Sequence, residues 1–197
     1  MKKGLLITIG VIVLVVVILY SFFVGRQNMM VTKEECVTSK WAQVETQYQR
    51  RADLIPNLVN TVQGAVKAER TTLTEVMEAR ARATSVRIDA NNLTPEKIQQ
   101  FQAAQDQLST GLGRLLAVAE NYPQLQTNQN FRDLQAQLES TENRIAVARK
   151  DFNESVQEYN QYIRRFPNSL LAGLYGFERK GYFQASAGAE NAPKVQF

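Results

Sequence analysis

The side chains that could do chemistry in this chain are carboxylates, arginines and amides. Histidine is absent and there is one cysteine, Cys36. Without histidine there is no Ser-His-Asp or Cys-His nucleophile, no His-ligated zinc and no Glu-x-x-His di-iron set. What remains for catalysis is a pair of carboxylates acting as general acid and base or gripping an ion, and Glu45 and Glu142 are the candidates. Such a pair needs a shared cleft and a shifted pKa, and no spacing in the sequence converges them. There is also no phosphate-cradling glycine loop, no Cys-x-x-Cys and no nucleophile elbow. The expectation is therefore no enzyme: no catalytic residue, no cofactor and no metal site.

The polar groups are arranged for another purpose. Glu142, Arg149, Asn153 and Asn160 follow at intervals of seven, four and seven, which places them on one flank of a helix beside its apolar stripe. Arg50, Arg51, Asp53, Asn57 and Asn60 cluster around Pro56. Polar groups at the edge of a core must find partners, and matched networks fix the register between helices. Arg80, Arg82 and Arg87 are the one local basic group in a chain of net charge +4. That is too thin a basic face for a nucleic-acid partner. Cys36 follows Lys33, Glu34 and Glu35, which is no lipoprotein signal, and a lone cysteine closes no disulfide within the chain.

These groups ride on helices. Val37, Trp41, Val44, Tyr48, Ile55, Val59, Val62, Val66, Leu73 and Val76 step by threes and fours for the most part, predicting one long helix that fades over residues 85–89, with Arg51 and Arg70 interrupting its seam. Pro56 predicts a kink, or a restart with Asp53 as N-cap. Thr94 and Pro95 suit the N-cap and first position of a second helix. Its seam runs Ile98, Phe101, Gln105, Leu108, Leu112, Leu115 and Ala119. A third helix starts near Asn128 and follows Phe131, Leu134, Leu138, Thr141, Ile145, Ala148, Phe152, Ser155, Tyr159, Tyr162 and Phe166 until Pro167. Residues 168–175 predict a short fourth helix with Leu170, Leu171 and Leu174 facing inward. Seams repeating every 3.5 residues pack side by side, coiled-coil fashion, and short turns make neighbours antiparallel.

Residues 5–24 form an apolar run after Lys2 and Lys3. About 20 residues at about 1.5 Å each cover the hydrocarbon core of a bilayer. No small-residue cleavage pattern ends the run, so an uncleaved anchor is expected over residues 5–25 rather than a secretory signal. The basic cluster at the start favours an amino terminus in the cytoplasm and a domain on the outer side. The fold class is thus all-α: a short tail (1–4), a transmembrane helix (5–25), an antiparallel up-and-down bundle of three long helices plus a short fourth (33–175), and a tail rich in aromatics and glycine (176–197). That tail ends apolar at Val195, Gln196 and Phe197, either as a strap over its own bundle or as a docking strand for a neighbouring copy.

Several blocks resemble the LemA family: residues 41–69 (WAQVETQYQRRADLIPNLVNTVQGAVKAE), the ARARA of residues 79–83, residues 121–167, and the tail motifs GFERKGYF and APKVQF. They occur in order and cover nearly the whole chain, anchor included. The resemblance implies a membrane-anchored antiparallel helical bundle, usually described as four-helix, with no established enzymatic activity and no cofactor. The expected location is the bacterial inner membrane, single-pass, with the bundle on the periplasmic side as the basic cluster at the start suggests. It leaves two functions open. One is a scaffold that self-assembles at the membrane surface through its bundle and C-terminal tail. The other is an adaptor or regulator of a membrane protease or envelope-stress system. The partners expected are membrane lipid, further copies of the chain and a membrane protein.

Overall fold

The computed structural model describes residues 2–65 and 70–185. Among them there is no strand, and six helices follow in order: α1 (Lys2–Ala65), α2 (Arg70–Ser85), α3 (Pro95–Glu120), α4 (Pro123–Gln126), α5 (Gln129–Arg164) and α6 (Asn168–Tyr175). The apolar segment and the first helix of the bundle are one continuous helix of 64 residues. Its side chains from Leu6 to Phe23 are largely exposed, and burial becomes complete first at Met30.

The caps fall where turn chemistry puts them. Thr94 accepts from the Lys97 amide at 3.4 Å, with Pro95 in the first turn of α3. Asn128 accepts from the Phe131 amide at 3.2 Å and starts α5. Each satisfies an N–H that the first helical turn leaves without a partner.

α1, α2, α3 and α5 form an up-down-up-down bundle. α1 lies against α5 and α2, and α2 against α3. Lys33–Glu158 (3.2 Å) and Lys40–Asp151 (3.0 Å) hold α1 and α5 antiparallel, seven residues further along one helix matching seven residues back along the other. The core forms two apolar clusters. One, nearer the apolar extension, gathers Trp41, Tyr48, Phe101, Phe152 and Tyr159. The other, at the far end, gathers Ile55, Leu58, Leu108, Leu115 and Leu138.

Two expectations for the first helix need correction. The helix read over residues 37–85 is two helices, α1 ending at Ala65 and α2 starting at Arg70, and α2 runs back along α1, with Arg80 level with Ala52. The bundle therefore has four long helices, with α6 as a further short one that buries Leu171 but leaves Leu170 and Leu174 exposed, against expectation, as is Phe166, which lies beyond the end of α5 rather than in its seam. Pro56 also does not restart the helix: α1 runs through it, and Asp53 lies mid-helix, accepting from Gln49 at 2.7 Å. Proline removes the N–H that would bond to the carbonyl four residues earlier, that of Ala52. Arg80 on α2 supplies a replacement, its Nε donating to the Ala52 oxygen at 2.6 Å.

The segment after α6 is an integral part of the core. Gly176, at φ 75°, takes the left-handed conformation that ends α6, and the Phe177 amide bonds to the Ala172 carbonyl at 2.9 Å. Residues 177–184 then run back between α3 and α5, antiparallel to α5, and Phe183 enters the aromatic core with 5 % of its surface exposed. Val195, Gln196 and Phe197, the residues expected to strap the bundle or dock on a neighbour, lie outside the described residues.

Candidate functional site

Two polar assemblies stand out, and both use residues of the spacing pattern described above. The first is a layer between the two apolar clusters. Arg51 of α1 is 1 % exposed. Its guanidinium donates to Glu142 of α5 at 2.7 Å, to Ser109 of α3 at 2.8 Å and to the side-chain oxygen of Gln105 of α3 at 2.6 Å. Gln105 in turn donates to the Ala83 carbonyl of α2 at 3.2 Å. The Tyr48 ring lies under the guanidinium, 5.0 Å from its centroid. One arginine thus ties all four long helices at one level. Its Nε is buried without a partner, and the Glu142 side chain is 47 % exposed, so the ion pair reaches from core to surface. A buried arginine is costly unless every register around it is correct, so it disfavours slipped packings of an otherwise repetitive seam.

The second assembly holds residues 177–184. Asn160 donates to the Lys180 carbonyl at 2.9 Å and accepts from the Lys180 amide at 3.0 Å. Asn153 does the same with Phe183, at 2.9 Å in each direction. Gln102 on α3 repeats the pattern with Gln184, at 3.0 Å in each direction, and Arg149 adds a bond to the Gln184 carbonyl at 2.8 Å. Seven helical residues rise about 10.5 Å, and three extended residues cover about 10 Å. Asn153 and Asn160 are therefore spaced to meet Phe183 and Lys180. The side-chain amides act as the neighbouring strand that the segment lacks.

Lys180 is buried too. Its Nζ lies 2.7 Å from Glu34 of α1 and 3.0 Å from the Asn91 carbonyl, near the Tyr159 ring. The Tyr159 hydroxyl donates to the Glu178 carbonyl at 3.0 Å. Burial pushes the Tyr159 phenol well above its usual range, with Glu34 and Glu178 adding to the shift. Burial also raises Tyr48, against the pull of Arg149 and Arg51. Phe183 lies 6.1 Å from Trp41, 5.5 Å from Phe152 and 6.4 Å from Phe101, ring centre to ring centre. The Arg149 guanidinium covers its remaining face at 4.8 Å.

The carboxylates are not brought together. Glu142 is spent on Arg51. Glu45 lines a groove between α1 and α2 with Arg50, Asp53, Asn57, Arg80 and Arg87. Burial moves Glu45 upward, the Trp41 side chain and Arg87 opposing. Asn60, Arg70 and Arg82 are exposed, as is Cys36. Among the described residues no three His, Cys, Asp or Glu side chains gather as a metal-binding group. The assemblies can fix helices and a strap, and they present no nucleophile beside a base.

Sequence reasoning singled out Arg51, Gln105, Glu142, Arg149, Asn153 and Asn160, and missed Gln102, Ser109, Glu34 and Lys180. Gln102, Gln105 and Ser109 form a polar stripe at three- and four-residue steps along α3, a signal that was available. Lys180 carried none, because a basic residue between Arg179 and Gly181 reads as surface.

Comparison with known proteins agrees with this architecture. The LemA family profile matches residues 40–197. The magnetosome protein MamQ of Magnetospirillum gryphiswaldense is 28 % identical over 198 residues, covering 91 % of this chain and 71 % of that protein. The magnetosome protein MamQ 1 of Paramagnetospirillum magneticum is 28 % identical over 193 residues, covering 87 % of this chain and 70 % of the relative. The protein LemA of Metamycoplasma hominis is 20 % identical over 174 residues, covering 88 % and 76 %. The family profile spans the bundle, the Arg51 layer and the residues that clamp the strap, so the chain belongs to the LemA family.

Proposed function

We propose that this protein is a membrane-anchored, non-enzymatic scaffold that self-assembles at the surface of the bacterial inner membrane, with its bundle on the periplasmic side. One observation carries the reading: the helix whose apolar stretch is long enough to cross a membrane continues without a break as the first helix of the bundle. The polar chemistry of the bundle is spent on its own packing, in the Arg51 layer and the strap clamp. The relatives named MamQ are magnetosome proteins, named for a cellular structure rather than for a reaction. Self-assembly would use the flank of α1 on which Met29 and Cys36, seven residues apart, are both exposed, because residues 177–184 are already engaged within their own protomer.

The test is the oligomeric state of full-length protein in lipid nanodiscs, read by mass photometry, together with bismaleimide cross-linking through Cys36. Concentration-dependent oligomers and a Cys36 cross-linked dimer are expected. A monomer at every concentration overturns self-assembly, and a monomer that co-purifies in fixed ratio with a membrane protease favours the adaptor reading instead.

A further inference from the structure

The end of the bundle from which the apolar helix leaves carries a second apolar surface. α6 packs on α1 and α5 through Leu171 and Ala172, which join Met30 and Ile163 in the core. Its other side is bare: Leu170 is 68 % exposed and Leu174 76 %, and Phe166, four residues before Leu170, is 81 % exposed. Leu170 and Leu174, four residues apart, share one face of α6, and Phe166 lies in the turn between α5 and α6.

The α1–α5 register fixes the level of this row. Lys40 pairs with Asp151 and Lys33 with Glu158, and one further heptad sets Arg165 level with Arg26. Arg26 is the first charged residue after the apolar run, and its guanidinium sits over the Phe22 ring at 4.9 Å. Phe166 therefore lies where α1 would enter the headgroup region, flanked by Arg26, Arg164 and Arg165. Residues 1–33 and 159–177 contain no Asp or Glu, and of the acids that border them Glu34 and Glu158 are paired with Lys180 and Lys33, so Arg26, Arg164 and Arg165 leave the surface around the row net cationic.

We propose that α6 and the turn before it are a monotopic membrane contact. Phe166, Leu170 and Leu174 enter the acyl boundary of the leaflet that α1 crosses, and the arginines engage anionic lipid headgroups. An apolar row beside basic side chains is the chemistry of a helix lying in the interface plane. The bilayer is the occupant because the row continues the apolar surface of α1 at the same level. The inference rests on α1 being an anchor, and its test separates the two.

Full-length protein carrying Cys36→Ser would receive one spin label at a time, through Val16→Cys, Val147→Cys, Leu170→Cys or Leu174→Cys. Each variant would be reconstituted into vesicles of phosphatidylcholine with phosphatidylglycerol. All four positions are exposed, so the labels leave the core intact. The oxygen-to-nickel-chelate collision ratio should be severalfold higher at positions 170 and 174 than at 147, and highest at 16. Aqueous values at 170 and 174 with a lipid value at 16 overturn the inference and leave the anchor standing. An aqueous value at 16 overturns both. Spin–spin broadening at 170 or 174 without lipid contact means a second copy covers the row, and also overturns it. Pure phosphatidylcholine vesicles should lower the ratio at 170 and 174, and an unchanged ratio removes the arginines from the proposal.

Discussion

Gly181 rests against Pro95 so closely that a Cβ there would stand 2.6 Å from the Pro95 Cα and 3.1 Å from the Thr94 carbonyl carbon. The Gly181 amide donates to the Leu93 carbonyl at 2.8 Å, so the contact is held from both sides. The strap passes over the start of α3 with backbone touching backbone, and there is no flexible side chain that could move aside.

Gly181→Ala should therefore destabilise the bundle by about 1–3 kcal/mol, the cost of overpacking a closed contact. Hydrogen exchange should show the Lys180, Phe183 and Gln184 amides losing protection first. Gly113→Ala is the control: it lies inside α3 with nothing within 4 Å of its added Cβ. That change should be neutral or stabilising by about 0.5–1 kcal/mol. Equal effects of the two substitutions would remove the Pro95 contact from the account.

Arg80 and Pro56 should be coupled through a carbonyl that neither residue owns. Arg80→Ala leaves the Ala52 oxygen without its donor, at about 1–2 kcal/mol. In a Pro56→Ala background the backbone N–H returns and serves that oxygen, so Arg80→Ala should cost little. A double-mutant cycle by urea unfolding measures the difference, and additive effects would contradict it.

The Arg51 layer should cost more to break than to replace. Arg51→Ala leaves a cavity and strips the donors from Gln105, Ser109 and Glu142, a loss of about 3–5 kcal/mol. Arg51→Met leaves the same acceptors without a donor but fills the space, so it should recover the cavity part of that loss and cost less than Arg51→Ala. If the layer selects register, the Met variant will keep its helical signal while its methyl resonances broaden or double.

Alkaline solution should weaken the protein through its buried phenols. Tyr48 and Tyr159 hold their protons above the ordinary value of 10.0, whereas the unfolded chain gives them up there. Unfolding then releases protons, so stability falls as pH rises through about 10 toward the folded values. Tyr159→Phe loses the bond to Glu178, at about 0.5–1.5 kcal/mol near neutrality, and should flatten the alkaline decline. Chemical denaturation at a series of pH values above 8 reads the slope, and an unchanged slope would exclude Tyr159 as its source.

The parts of this fold that were legible in the sequence are those governed by period and caps. The seam of α5 from Phe131 to Tyr159, the Thr94–Pro95 start of α3 and the presence of the short α6 all follow from local chemistry, whereas the last turn of α5 buries Ile163 in place of the expected Tyr162 and Phe166. The reversal before Arg70 was hidden because Val59, Val62, Val66, Leu73 and Val76 keep helical spacing across it. A hairpin of suitable length and a straight helix present the same pattern. The strap was hidden for a different reason. Its bonds run from Asn153, Asn160 and Gln102 to main-chain groups, which every residue carries, so Lys180 and Gln184 leave no trace in residue type. The helix side of the clamp showed as spaced amides, and its target did not show.

The unbroken course of α1 has a mechanical consequence. From Gly25 to Ala65 the helix is a stiff arm of about 60 Å with no hinge at the membrane surface. Single-pass helices adjust their tilt as bilayer thickness changes. A tilt change of about 10° would sweep the far end of the bundle through about 10 Å. With α1 seated in a bilayer, local thickening or thinning of the lipid would thus be converted into displacement of the far end of the bundle, well above the headgroups.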